Sequence, residues 1–82
     1  MAGRRAKSDS EKQFNSAVGA RIEAERAACG LSHKELAARI GISSSHLYFY
    51  ETGRSACPPY RLRRLACALG IEVQRLLPQI HY

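Results

Sequence analysis

The side chains in this sequence best suited to nucleophilic or metal chemistry are the serine run Ser43, Ser44 and Ser45, the histidines at 33 and 46, and the cysteines at 29, 57 and 67. Nucleophilic catalysis needs a base beside the hydroxyl or thiol and a third group to orient that base. No aspartate stands in a recognisable arrangement with these serines and histidines, and neither a glycine-rich phosphate loop nor a paired-acid constellation is present. The cysteines are odd in number and far apart, which fits neither a disulfide framework nor a Cys-x-x-Cys zinc site. His33 and His46 have no cysteine or carboxylate cluster between them to complete a metal site. The expectation is therefore no enzyme, no metal and no cofactor, with reduced thiols and Cys29 serving as a small core residue.

Charge points elsewhere. The 82 residues carry 13 Lys and Arg against 7 Asp and Glu, a net charge of +6 that favours a polyanionic partner. Basicity alone does not separate DNA from RNA, acidic protein or anionic lipid. With 45% hydrophobic and 24% charged residues the composition suits one small globular domain. The apolar runs are too short for a membrane span, and the first residues, MAGRRAKSDSEKQ, have no apolar segment resembling a secretory signal, so a cytoplasmic location is expected.

Which elements would position these side chains? Ser32 and Glu35 have the Ser-x-x-Glu spacing of a capping box, starting a helix at His33. Leu36, Ala37 and Ile40 recur at helical spacing, and Gly41 supplies the left-handed residue that ends the helix. Ile42 plugs the gap, Ser43 caps a second helix over 43–52, and Leu47 and Tyr50 form its inward stripe before Gly53. Helix, four-residue connection and helix make a helix-turn-helix.

Upstream, residues 1–13 lack hydrophobic periodicity and mix Arg4, Arg5, Lys7 and Lys12 with Asp9 and Glu11, which reads as a basic, mobile arm. From Phe14 an inward face of Phe14, Val18, Ile22 and Cys29 marks a helix ended by Gly30. Arg26 falls beside that face and needs a partner if its head is buried; Glu51 is the candidate. Downstream, Pro58 and Pro59 stop the third helix and begin a fourth over about 60–69, with Leu62, Leu65, Ala66 and Leu69 inward and Arg61, Arg63 and Arg64 mostly outward. Glu72 then caps a short last helix holding Val73, Leu76 and Leu77. The domain thus spans 14–78, with a tail at 79–82, and is an all-α, compact bundle of five helices.

The order and spacing of Gly19-Ala20-Arg21-Ile22, Arg26, Gly30-Leu31-Ser32, Glu35-Leu36-Ala37, Ile40-Gly41-Ile42-Ser43, Leu47, Tyr50-Glu51-Thr52-Gly53 and Leu65-Ala66-x-Ala68-Leu69-Gly70-Ile71 resemble the Cro and phage-repressor type of helix-turn-helix, the XRE family. The resemblance covers about 18–77 and implies a lambda-repressor-like DNA-binding domain whose second motif helix lies in the major groove. The family's base-reading positions fall on Ser44, Ser45 and Phe49, and its structural ion pair on Arg26 and Glu51, in agreement with the charge argument above. A serine hydroxyl exchanges hydrogen bonds with a base edge, whereas Phe49 has only an apolar contact to offer, such as a thymine methyl or a neighbouring protein group. His33 stands where the family usually has glutamine, and it is expected to contact phosphate together with Lys34, Ser43 and Arg54. A histidine there makes binding weaken as pH rises and the imidazole loses its proton.

Two departures stand out. Cys57 and Pro58 replace the proline and capping hydroxyl that relatives often carry, so the fourth helix loses its cap. Tyr50 occupies a position often held by a smaller aliphatic residue, so its hydroxyl must find a partner or the rim of the core.

The resemblance further implies a small dimeric repressor or controller protein that reads a palindromic operator at the nucleoid of a bacterium or as a phage product. Leu76, Leu77, Ile80 and Tyr82 are candidates for the dimer interface, with closure of each monomer's own core the alternative for the two leucines. The rival function is an antitoxin-like or protein-interaction module that keeps the fold and binds a protein through Tyr48, Phe49 and the tail.

Overall fold

Local hydrogen-bond chemistry decides where each helix starts in the computed structural model, which describes residues 8–78. Ser8 Oγ accepts from the Glu11 backbone N–H at 3.1 Å while the Glu11 carboxylate accepts from the Ser8 N–H at 2.9 Å, closing a capping box. Helix α1 accordingly runs Asp9–Ala28. Residues 9–13 belong to it rather than to an arm, and the remainder of the expected arm, 1–7, lies outside the described residues.

The expected box at Ser32 and Glu35 forms in the same way, at 3.0 and 2.8 Å, and opens α2, His33–Ile40. Gly41, at φ +76°, turns the chain where an L side chain would be strained. Ser43 Oγ then accepts from the His46 N–H at 3.1 Å and starts α3, Ser44–Glu51. Ser43 and Thr52 are caps rather than helical residues, so the connection is 41–43 and the helix is shorter than 43–52.

Helix α4, Pro59–Leu69, has Pro58 at its N-cap with no side-chain hydrogen bond, which is the lost cap expected from Cys57-Pro58. The fifth element is a 3₁₀ turn, Val73–Leu76, instead of an α-helix, and Glu72 makes no side-chain cap bond to it. Four residues before Pro78 leave no room for an i to i+4 ladder. Among the described residues the architecture is therefore all-α, four helices and one 3₁₀ turn.

One core joins them: Val18 and Ile22 from α1, Leu36, Ala37 and Ile40 from α2, Leu47 and Tyr50 from α3, Leu62, Leu65, Ala66 and Leu69 from α4, and Leu76. Ile22, Leu36, Leu47, Leu65 and Leu76 are completely enclosed, each contributing about 2 kcal/mol relative to an exposed position. Leu76 is thereby withdrawn as an interface candidate, because a side chain at 0% exposure has nothing left to offer a second subunit. Leu77 also packs on the core, partly buried, and Ile80 and Tyr82 lie outside the described residues.

Two inward assignments on α1 fail. Phe14 is 40% exposed, because the first fully buried residue of α1 is Val18, one turn further along the helix. Cys29, at the C-cap, is exposed, and its thiol donates to the Leu69 carbonyl at 3.7 Å. What α1 buries instead of Cys29 is Gly19: a methyl group there would run into the carbonyls of Tyr50 and Glu51, so α1 and the end of α3 meet backbone to backbone.

Candidate nucleic-acid interface

Helix α3 has two unlike faces. Leu47, Tyr50 and Glu51 point into the bundle, whereas Ser44, Ser45, Tyr48 and Phe49 face outward, Tyr48 50% and Phe49 38% exposed. Together with His33 from α2, those four outward residues line a shallow hollow of about 270 Å³. Thus the expected base-reading residues Ser44, Ser45 and Phe49 are brought together, and His33 joins them. The sequence reading placed Tyr48 beside Phe49 but not inside this constellation.

Beneath the hollow lies a charged junction. Glu51, with a side chain 3% exposed, accepts from Arg26 Nε at 2.8 Å on one oxygen. Its other oxygen accepts from Arg26 Nη2 at 3.3 Å and sits 2.8 Å from His33 Nε2. Arg26 Nη1 also donates to the Leu31 carbonyl at 2.8 Å, so the guanidinium has its hydrogens well used. The hydrogen bond to Glu51 raises the Arg26 pKa above its ordinary value despite opposing desolvation. One carboxylate therefore ties α1, α2 and α3 together. The pairing of Arg26 with Glu51 follows the sequence expectation, while the third member, His33, was missed. The sequence signal for it is no more than a polar ring at the first position of α2; its reach to Glu51 depends on how α2 lies over α3.

Around the rim, Ser43 spends its lone pair on capping, which leaves its O–H free to donate. The Arg54 guanidinium lies 5.8 Å from the Phe49 ring centre, a cation–π distance that places the cation beside the exposed aromatic. Lys34 is exposed on α2. Tyr50 finds its partner: Arg61 Nη1 donates to its hydroxyl at 3.3 Å, and burial pushes the phenol pKa up against that cation. His46 stacks obliquely on the Tyr50 ring at 4.7 Å.

Cys57 is partly buried against the core, and desolvation pushes its thiol up to about 12, opposed by Arg61, which favours the thiol over the nucleophilic thiolate. Among the described residues, no group of three or more His, Cys, Asp or Glu side chains is placed to hold a metal ion, and no helix is long and apolar enough to cross a membrane.

With this geometry in place, comparison with known proteins is decisive for the family. A helix-turn-helix family model matches residues 22–76, which takes in α2, α3, α4 and the 3₁₀ turn. The chain belongs to the XRE-type helix-turn-helix family. Its fold is similar to that of the restriction-modification controller protein C.AhdI from Aeromonas hydrophila, with 32% identity and a TM-score of 0.73, over 76% of this chain and 94% of that one. It is also similar to the clp gene regulator ClgR from C. glutamicum, with 30% identity and a TM-score of 0.75, over 77% and 82% of the two chains. The S. venezulae BldD DNA-binding domain matches at 31% identity and a TM-score of 0.73, over 80% of this helix-turn-helix chain and 99% of that domain. No curated protein sequence matches.

Proposed function

We propose that this helix-turn-helix chain is a transcriptional regulator that binds double-stranded DNA by laying α3 in the major groove. The observation that carries the reading is the division of α3, whose apolar and ionic side is locked into the bundle while Ser44, Ser45, Tyr48 and Phe49 stand outside. Membership of the family, and neighbours named as gene regulators, a controller protein and a DNA-binding domain, support the same reading and argue against an enzyme.

On this reading Ser44 and Ser45 hydrogen-bond base edges, and Phe49 supplies apolar contact to a thymine methyl. Ser43, Lys34, Arg54 and His33 hold flanking phosphates, fixing register without reading sequence. One eight-residue helix spans too few bases for specific occupancy, so the chain acts as a homodimer on a palindromic operator, with half-sites one helical turn apart. Leu77, Ile80 and Tyr82 remain the candidates for that contact, with Leu76 removed. The match to C.AhdI over nearly all of that protein favours a small controller or repressor.

The exposed pair Tyr48 and Phe49, with ring centres 6.3 Å apart, motivates the second reading, a protein-binding module on the same fold. Salt dependence separates the two. Several phosphate contacts require duplex affinity to fall steeply with salt, and Arg54→Ala is expected to lower the slope of log affinity against log salt by about 1. A duplex affinity that is weak at low ionic strength and indifferent to salt would remove DNA as the partner and leave the aromatic pair to a protein.

A further inference from the structure

We infer that His33 can donate to a DNA phosphate only when its ring carries both protons, so that duplex affinity is gated by protonation of this one side chain. The inference rests on the proposed docking of α2 and α3 on DNA and adds a regulation to it.

Glu51 fixes which atom of each pair donates. Its oxygens receive Arg26 Nε at 2.8 Å and Arg26 Nη2 at 3.3 Å, so the carboxylate is an acceptor, and His33 Nε2, at 2.8 Å from Oε1, must be the donor of its pair. A neutral imidazole has one N–H. With that hydrogen committed to Glu51, Nδ1 is left as a bare lone pair, and among the described residues it has no hydrogen-bond partner. The ring is 37% exposed and borders the hollow lined by Ser44, Ser45, Tyr48 and Phe49, which is where a bound duplex would lie. A lone pair repels a phosphate oxygen; an added proton on Nδ1 converts the same edge into a charged donor. Swinging the ring to offer Nε2–H instead would take a hydrogen bond away from a carboxylate that is 3% exposed.

The groups around the ring are consistent with a single titrating edge. Glu51 and Tyr48 face it from α3, Tyr48 edge-on with ring centres 6.1 Å apart, and Arg26 reaches it from α1 through the shared carboxylate. Lys34 is its neighbour on α2. From α4, Arg61 is engaged with Tyr50 and Tyr60, and Arg64 lines a separate hollow with Arg39 and Cys67. A glutamine at 33 would satisfy Glu51 through its amide hydrogens without any titration.

The test is anisotropy of a labelled mixed-sequence duplex with the full chain and with His33→Gln, at fixed low salt, between about pH 6 and pH 8. The ratio of the two affinities cancels His46 and His81. It is expected to move against the wild-type chain as pH rises, with a slope no steeper than about tenfold per pH unit, the limit for one linked proton, and to level off once the ring is neutral in both the free and the bound chain. A ratio that stays constant across the range overturns the gate while leaving DNA binding intact; absence of binding by both proteins at every pH overturns the docking itself. Independently of DNA and of any variant, ring ¹⁵N shifts of wild-type His33 at about pH 8 should report the Nε2–H tautomer. The Nδ1–H tautomer would refute the inference on its own.

Discussion

Helices α3 and α4 follow one another in the chain and bury similar inner faces, yet their outer faces are built from different chemistry. The exposed side of α3 has hydroxyls and aromatic rings and no formal charge, since its single acid, Glu51, is inside. The exposed side of α4 has Arg63 and Arg64, with Arg61 partly covered, and the stretch from 52 to 71 contains no acid at all. A face of short polar groups and rings can distinguish one base edge from another but gathers little electrostatic attraction. A face of arginines attracts any polyanion without distinguishing sequences. On the proposed reading, α3 supplies discrimination while the arginines of α4 add long-range attraction, and each should be separable by mutation.

The two helices also differ in how they are held. Helix α3 is pinned by an ionic junction to α1 and α2, whereas the polar tie of α4 to α3 is the longer bond from Arg61 to the Tyr50 hydroxyl. Glu51→Ala removes the acceptor for both Arg26 and His33 and leaves a guanidinium that is only 12% exposed without its counter-ion. The expected loss of stability is about 3 kcal/mol. Arg61→Ala loses the hydrogen bonds to the neutral Tyr50 and Tyr60 hydroxyls, of which the one to Tyr50 crosses to α3, and should cost about 1 kcal/mol. Urea denaturation of the two variants measures both. Equal costs would mean that the charged junction is no more important to α3 than an ordinary contact is to α4.

Much of this division could be read from the sequence, and the failures have physical causes. The inward stripes of α2, α3 and α4, the capping box at Ser32 and the pairing of Arg26 with Glu51 follow from spacing and charge alone. The start of α1 did not, although Ser8 and Glu11 have the same Ser-x-x-Glu spacing as Ser32 and Glu35. The first turn of α1, residues 9–13, is polar on all sides and gives no hydrophobic period to mark the cap as the start of a helix. Phe14 and Cys29 were assigned inward because periodicity reports which face a residue occupies but not how far along a helix the rest of the bundle reaches. Gly19 stood inside the family pattern, but nothing in a list of residues says that two backbones touch there. At the site, Ser44, Ser45 and Phe49 were placed on one face through the motif. The bond from His33 to Glu51 spans 18 positions and depends on how α2 lies over α3, which no local rule supplies.

The next largest effect concerns binding and contrasts the two outer faces directly. Ser44→Ala and Phe49→Ala should change which sequences are preferred, with about 1 to 3 kcal/mol of discrimination at stake per contacted base pair. Arg63→Ala combined with Arg64→Ala should weaken binding by a similar factor for every duplex and leave the preferred sequence untouched. In vitro selection from random duplexes with each protein, followed by affinity on selected and scrambled sequences, reads both quantities. If the arginine pair shifted the selected sequence while Ser44 and Phe49 did not, the reading face would belong to α4.

The smallest expected effect tests the support that α2 gives to both helices, since it packs against α3 on one side and α4 on the other. Its first turn is closed by Glu35, whose pKa is lowered mainly by the hydrogen bond from the Ser32 backbone N–H. A carboxyl with a depressed folded-state pKa contributes stability above its unfolded value, near 4.5, and loses that contribution as pH falls through the folded value. Acidification below about 4.5 should therefore loosen the start of α2 in the wild-type chain, and Glu35→Gln should lack that portion of the pH dependence while differing little near neutrality. Hydrogen exchange at the amides of Ser32, Glu35 and Leu36, compared with those at the start of α4, measures it locally. Helix α4 begins at Pro58 with no titratable cap, so its protection should fall only with global unfolding. A parallel loss at both helix starts would show that the capping box has no local role and that α2 and α4 open as one unit.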